Sequence, residues 1–475
     1  MSAGAASGSI SAATGQAMDR RAEGLLIEAA AAVATLAGGL RRGAEQRDAA
    51  VLSGGGLFVA VWRGRILAAG LQIDVYRQIE EQGLSLDSFD RLNARGGLVT
   101  PGLVDAHTHL LFAATREVEW QMRARGAGYL EILAAGGGIL STVAATRAAS
   151  DDELLAGGRA RLDQMLANGT TTVEAKSGYA LDVAGELRLL ELTDRLDREG
   201  PIELVPTFLG AHAVPAEFRA RPDGTEAYVA SVIGEQLPAV ARQGIARSCD
   251  VFCERGVFDA AQSRRILAAA AEAGLAVRLH ADELGPSGGA ELAGELAAGP
   301  AAEFGGEVGR DLAARPAAGR CLSADHLAAP SDAGVAALAR AAEAGNPVVA
   351  TLLPATSWFL GKHHFAPARR FVDAGIPVAL ATDLNPGTSP TLSLPLAMSI
   401  ACLEMGLTPV EALVGVTMNA ACALGLGSEI GSIEPGKQAD LVVWDVPTVE
   451  QLPYWLGGRL PRSVVKRGRL VFERG

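Results

Sequence analysis

The sequence predicts an α/β chain: a parallel (β/α)8 barrel of the TIM type, with a small β-sandwich domain built from both chain ends. Three observations predict it. Short, continuously apolar runs recur through the middle of the chain, as parallel strands buried on both faces do. Amphipathic segments with helix start and stop signals lie between those runs. Hairpin patterns appear near the two extremities.

The chain has 475 residues, of which 49% are hydrophobic and 20% charged. That length supports a large core without disulfide staples. A net charge of −12 argues against a nucleic-acid partner or an anionic membrane surface. Five scattered cysteines make no disulfide framework, which points to a reducing, cytoplasmic setting.

Residues 1–21 are rich in Ser, Ala and Gly, without a basic start or an apolar stretch, and read as a disordered tail. Residues 25–37 are too short to span a membrane and are interrupted by Glu28, so a strand is expected there. Leu57–Trp62 and Ile66–Ala69 flank Arg63-Gly64-Arg65 as a hairpin. With residues 22–100 these form the first part of the small β domain. The barrel is expected over 101–425, with strands ending near Asp105, Ala175, Phe208, Phe252, Leu279, Ala324, Leu353 and Thr382. Ser150-Asp-Asp-Glu153 is a capping box that opens a helix to about Leu166. Further helices are expected near 185–198, 259–273, 332–344 and 368–374. Residues 298–320 break the rhythm and read as an inserted loop. Residues 426–475 complete the small domain, with a strand over Ala439–Val446 and a hairpin turning at Lys466–Arg469.

Only seven histidines occur, and their positions are informative. His107 and His109 follow the first barrel strand, and alternation in an extended segment puts both imidazoles on one side. His280 ends the fifth strand and Asp383 the eighth. Active sites of such barrels lie at the carboxyl ends of the strands. Three imidazoles and a carboxylate suit Zn2+ or an iron ion (Fe2+ or Fe3+) rather than Mg2+ or Ca2+. His212 and His326 fall at equivalent strand ends, as hydrogen-bonded loop residues or as contacts to substrate or its transition state. Glu283, three residues beyond His280, is placed as a general base for a bound water.

The remaining candidates have simpler readings. Cys249 and Cys253 read as buried thiols. Gly136-Gly137-Gly138 lacks a Walker lysine and reads as a flexible loop. Lys176, at the end of the second strand, would bridge two metals only if carbamylated; four clear ligands favour one ion. Lys362, His363 and His364 read as a solvated loop cluster.

The blocks PGLVDAHTHLLF, KSGYALD, FLGAHAVP, CDVFCERGVF, LHADE, SADHL and ATDLNPGTSP resemble the imidazolonepropionase family of the amidohydrolase superfamily. The resemblance extends from about residue 22 to the C-terminus. It implies one Zn2+ or iron ion per subunit on His107, His109, His280 and Asp383. It also implies that Glu283 and His326 act in catalysis. Substrate contacts are implied from Arg116, Tyr179, His212, Glu283, Asn385, Gly387 and Thr388. The implied reaction is hydrolytic opening of the lactam ring of 4-imidazolone-5-propanoate to N-formimino-L-glutamate, in histidine degradation, by a homodimer. Ala180 stands where the family usually has Gly. The alternatives are an aminohydrolase acting on a purine or pyrimidine, and a scaffold protein that has lost activity. The aminohydrolase would need no arginine for a propionate, and the scaffold would have lost ligands that are present here.

Overall fold

The computed structural model describes residues 22–474, apart from 129–130, 133–134, 299–318 and 459–460. The expected tail and nearly all of the expected insertion at 298–320 lie outside the described residues.

The chain opens with β1 (Gly24–Ala34), β2 (Val51–Trp62), β3 (Arg65–Leu71), β4 (Phe89–Asn93) and β5 (Leu98–Pro101). Eight barrel strands follow: β6 (Leu103–Asp105), β7 (Thr170–Lys176), β8 (Glu203–Ala211), β9 (Ser248–Cys253), β10 (Ala276–Ala281), β11 (Cys321–His326), β12 (Val349–Leu352) and β13 (Val378–Leu380). Each pairs in parallel with the next in sequence. Every residue of β7, β10 and β11 is buried, which is why these strands read as unbroken runs rather than alternating ones. Helices such as Asp151–Ala167, Val183–Glu199, Ala260–Glu272 and Asp332–Glu343 connect them. The capping box at Ser150 and Glu153 is formed, and Asp259 with Gln262 makes a second; each such cap contributes about 1 kcal/mol.

The barrel seam closes where the first and last strands carry the expected ligands. Thr108 and Leu384 form a parallel bridge. His109 N–H donates to the Leu384 carbonyl at 2.8 Å, and Asp383 N–H to the His107 carbonyl at 3.0 Å. Below them, the Asp105 carboxylate accepts from Thr382 N–H at 3.0 Å and from its hydroxyl at 2.6 Å.

Several strand ends differ from the sequence expectation: β10 and β11 run past Leu279 and Ala324 to Ala281 and His326, and β13 stops at Leu380, short of Thr382. β8 runs to Ala211, beyond Phe208, because a register shift against β9 lets the ladder resume after Gly210. β12 stops at Leu352, since Pro354 begins a helix and restricts the residue before it. The strand expected over 439–446 is confined to β14 (Leu441–Trp444). Asp440 leaves the ladder to accept from Lys466 Nζ at 2.7 Å and Arg467 N–H at 2.9 Å.

β14, β15 (Pro461–Lys466) and β16 (Arg469–Glu473) join β1–β5 in one eight-stranded mixed sheet. The join is antiparallel, with Val443 opposite Val99 and Leu441 opposite Pro101. Two hairpin tips meet there. Arg63-Gly64 and Arg467-Gly468 all have positive φ (49°, 78°, 48° and 74°), as two-residue type I′ turns require. A Cβ on Gly468 would lie 3.0 Å from Gly64 Cα, so the tips touch through glycine.

Glu203, at the start of β8, ties this sheet to the barrel floor. It accepts from Lys466 Nζ at 3.2 Å, Arg467 Nη2 at 3.2 Å and Gln438 Nε2 at 3.1 Å. Burial opposes its ionisation, but the Lys466 charge, Gln438 and Arg467 outweigh burial and pull the carboxyl to about 2. A carboxylate depressed from 4.5 stabilises the fold above pH ~4.5, and that contribution fades as pH falls towards ~2. Glu203→Gln is therefore expected to destabilise the protein by about 1–3 kcal/mol at pH 7 and by progressively less below pH ~4.5. Urea unfolding of both proteins across that range checks it; a pH-independent gap would contradict the assignment.

Candidate active site

The ends of β6, β10, β11 and β13 bring His107, His109, His280, His326 and Asp383 into one buried cluster. Ligand atoms of His107, His109 and His280 lie within 4.8 Å of one another, as do those of His107, His326 and Asp383. Asp383 Oδ1 is 3.5 Å from both His107 Nε2 and His109 Nε2. Its other oxygen accepts from the Thr356 hydroxyl at 2.7 Å, which fixes the carboxylate's rotation. Asp383 and His326 hold φ of 52° and 70°, a conformation that side chains other than glycine seldom adopt. Backbone strain of this kind gathers at functional sites, where surrounding contacts over-determine it.

Two of the imidazoles, His107 and His280, have a carboxylate behind them. His107 Nδ1 lies 2.7 Å from Asp325 Oδ2, so it donates there and leaves Nε2 as the lone-pair nitrogen. His280 Nδ1 is 3.0 Å from Asp250 Oδ2. Burial, and then the neighbouring cations, hold His107 and His109 well below the ordinary histidine value, so both are neutral. Burial also disfavours the imidazolium at His280, but Asp250 beside it more than compensates and raises it.

The carboxylates behind the histidines have their own partners. Lys176 Nζ sits 2.8 Å from Glu174, 2.6 Å from Asp250 and 3.7 Å from Asp325. Arg278 donates to the carbonyls of Ala106 and Ala423 and lies 3.4 Å from Asp325. A third grouping, His107 with Asp250 and Asp325, thus already holds a cation, the Lys176 ammonium. Burial lowers Lys176, yet Asp250 and Glu174 outweigh it and keep the amine charged. A lysine locked between carboxylates is not free to bridge two ions.

The donor set fits a single transition-metal ion. His107 Nε2, His280 Nε2, His326 Nε2 and Asp383 Oδ1 are buried without a hydrogen-bond partner among the described residues. An unpaired buried polar atom costs about 1–3 kcal/mol, so several converging on one point mark a place for a cation.

Tyr179 and His212 border this cluster. The His212 ring stacks on His109, with centroids 4.8 Å apart, and Tyr179 lies 5.6 Å from His109. His212 Nδ1 is 2.9 Å from the Gly178 carbonyl, which can only accept, so the proton sits on Nδ1. Burial keeps this histidine neutral and drives the Tyr179 phenol upward. Glu186 builds the loop that presents both, accepting from Gly178, Ala180 and Leu181 N–H at 2.8, 3.0 and 2.7 Å. Ala180 has no positive φ, so alanine in place of glycine imposes no backbone strain.

Glu283 lies in the turn after β10, mostly buried, with Oε2 3.8 Å from His326 Nδ1. Its loop is pinned by Asp282, which accepts from Ser287, Gly289 and Ala290 N–H. Glu283 and His326 line a small recess with Thr356 and Lys362.

Arg116 is held bidentately by Glu119, Nε to Oε1 and Nη2 to Oε2, both at 2.8 Å. Glu119 Oε1 also accepts from Gly138 N–H at 2.9 Å. Burial disfavours the Glu119 carboxylate, but Arg116 and the Gly138 amide outweigh it and lower its pKa. The guanidinium lies against Gly387: a Cβ there would be 2.1 Å from Arg116 Nη1. Asn385 is spent on its own loop. Its Oδ1 accepts from Gly387 and Thr388 N–H, and its Nδ2 donates to Asp383 O and Thr388 Oγ1. Asn385 and Thr388 therefore shape the surface beneath Arg116.

Sequence reasoning missed Asp250, Asp325, Thr356, Glu119 and Glu186. Each acts on a residue distant in sequence or on loop backbone. The nearest usable signal was the aspartate beside each histidine or strand end, in SADH and SCDVF. Cys249 and Cys253 are buried thiols as expected, and His363 and His364 are exposed.

The model of the amidohydrolase family matches residues 98–471. The chain is 48% identical over 452 residues to an imidazolonepropionase of Symbiobacterium thermophilum, covering 95% of this chain and 98% of that one. It is 46% identical over 428 residues to an imidazolonepropionase of Geobacillus kaustophilus, covering 90% and 92%. Among solved structures it is similar to a zinc-bound adenosine deaminase from Xanthomonas campestris (TM-score 0.62, 20% identity, 94% and 93% covered). A 5-methylcytosine deaminase from Klebsiella pneumoniae, liganded with phosphonocytosine, gives TM-score 0.66 at 16% identity, with 95% and 98% covered. At those identities the two deaminases speak to the fold alone.

Proposed function

The chain belongs to the amidohydrolase family and within it to the imidazolonepropionases, and from that premise we propose how its residues carry the reaction. The protein is a hydrolase that opens the ring of imidazolone propionate in histidine degradation. The observation that carries the residue-level reading is the convergence of unpartnered donor atoms from four strand ends on one buried cluster.

His107, His109, His280 and Asp383 would hold the ion, zinc or iron. When bound, it supplies Lewis acidity that lowers the pKa of water and polarises a carbonyl. Glu283 takes a proton from the attacking water and returns it to the departing ring nitrogen as the C–N bond breaks. His326, with Nε2 unpartnered, faces the oxyanion that develops on the former lactam carbonyl. His212 keeps its proton on Nδ1 and offers Nε2 to the substrate ring beside Tyr179. Arg116 anchors the propionate through the part of its fork that Glu119 leaves free, over Gly387.

The test is to supply enzymatically generated imidazolone propionate and follow its ultraviolet loss against the spontaneous rate. Acceleration to a formimino product supports the reading; ammonia release from a purine or pyrimidine, without ring opening, would replace it. His280→Ala is expected to lower metal content and activity together, because three ligands hold an ion less tightly than four. Full occupancy by elemental analysis would remove His280 from the ligand set.

No helix among the described residues is long and apolar enough to cross a membrane. We place the protein in the cytoplasm, which the unpaired cysteines support; fractionation with the membrane pellet would contradict it. A homodimer is the expected assembly, seen by light scattering as twice the 48.8 kDa chain mass.

A further inference from the structure

We propose that Glu119 is a positioning residue for the substrate's carboxylate: with Gly387 it presets the Arg116 guanidinium so that only its end-on edge is offered to the propionate. This rests on the reading of Arg116 as the propionate anchor. A guanidinium has five N–H bonds in a planar fork, and Glu119 occupies one along Nε and one on Nη2. The second Nη2 hydrogen and both on Nη1 stay available, and they form a second edge able to take a carboxylate with two parallel bonds. Arg116 can therefore bridge two carboxylates at once, the protein's own and the substrate's.

Glycine at 387 has one visible reason. Its φ lies outside the left-handed region, so the backbone would accept an alanine. The obstacle is the guanidinium, whose Cζ and Nη1 would lie 2.2 and 2.1 Å from an added Cβ. Glu119 fixes one edge of Arg116, and the bare backbone at Gly387 receives its other end. Glu119 Oε1 also takes Gly138 N–H, so the loop at 136–138 shares the same anchor. Arg123 Nη2 lies 4.0 Å from the same Glu119 oxygen, so the anchor keeps a net positive charge and the directed fork adds geometry to it.

Glu119→Gln separates this role from bulk stability. A glutamine keeps the shape but presents an amide NH2 to at least one donor among Arg116 Nε, Arg116 Nη2 and Gly138 N–H, so the guanidinium must turn. Kinetics are measured with imidazolone propionate and with its neutral amide analogue on the same metal-replete preparations, for wild type, Glu119→Gln, Gly387→Ala and Arg116→Met. The expected result is a KM for the acid raised about 10- to 100-fold in Glu119→Gln, with kcat and the amide's kinetics moved by less than about 3-fold. Gly387→Ala should shift the acid in the same direction. Adding Glu119→Gln to Arg116→Met should cost the acid nothing further, because the positioned group is gone. An unchanged acid KM in Glu119→Gln, or equal losses for acid and amide, would overturn the proposal while Arg116 keeps its role. If Arg116→Met itself preserves the acid-over-amide preference, the anchor reading falls first and Glu119 falls with it.

Discussion

Glu283→Gln is expected to lower kcat by about 10²- to 10⁴-fold while leaving metal content and KM close to wild type, the usual range for losing a general base. The geometry makes this substitution unusually clean. The ion pair that Glu283 makes is with His326, at 3.8 Å. Its loop is held on either side, by Asp282 taking three backbone N–H groups and by Glu254 accepting from Leu284 N–H at 2.8 Å. An isosteric amide should therefore sit where the carboxylate sat, unable to take the proton. The 3.8 Å gap to His326 exceeds a hydrogen bond, so proton exchange between the two requires water or a small approach. Near-normal turnover in a metal-replete variant would show that another group moves the proton, His212 being the first candidate.

Arg116→Met is expected to cost about 2–5 kcal/mol of transition-state stabilisation, or roughly 30- to 5,000-fold in kcat/KM. Truncation removes one member of a desolvated pair, while Arg123, 4.0 Å from Glu119, still balances that carboxylate. Arg116→Lys should recover only part, since an ammonium cannot serve Glu119 and a second carboxylate through two flat edges. Wild type should prefer the acid strongly over its neutral amide, and Arg116→Met should show little preference. Equal preference in both enzymes would detach Arg116 from the propionate.

Much of this was legible in the sequence because the strong signals are local. Eight buried parallel strands must each be a short apolar run, so their ends at Asp105, Ala175 and Phe252 could be read to within a residue of the structure. His107 and His109 could be paired because strand alternation is a local rule. What the sequence concealed is geometry across strands. Asp325 adjoins His326 in the chain but reaches His107, 218 residues away. Asp250 looks like any polar residue in a strand until β10 lies beside β9 and brings His280 to it. Arg116 could be read as a carboxylate anchor, but not that Glu119, one helical turn on, already occupies one of its edges. A bidentate pair three residues apart looks from sequence like an ordinary surface ion pair.

The antiparallel join between β5 and β14 also bears on synthesis. The two strands are separated by about 340 residues, nearly the whole barrel. At about 5–20 residues per second, a ribosome needs roughly 20–70 seconds to deliver the second after the first. During that interval β5 carries an open edge, and open edges invite pairing with other chains. The barrel strands, β6 to β13, are all delivered in that interval, before β5 meets this partner. Any chain released before Leu441 keeps that edge exposed, so an unfinished product differs from a finished one in a feature that chaperones and proteases can recognise directly.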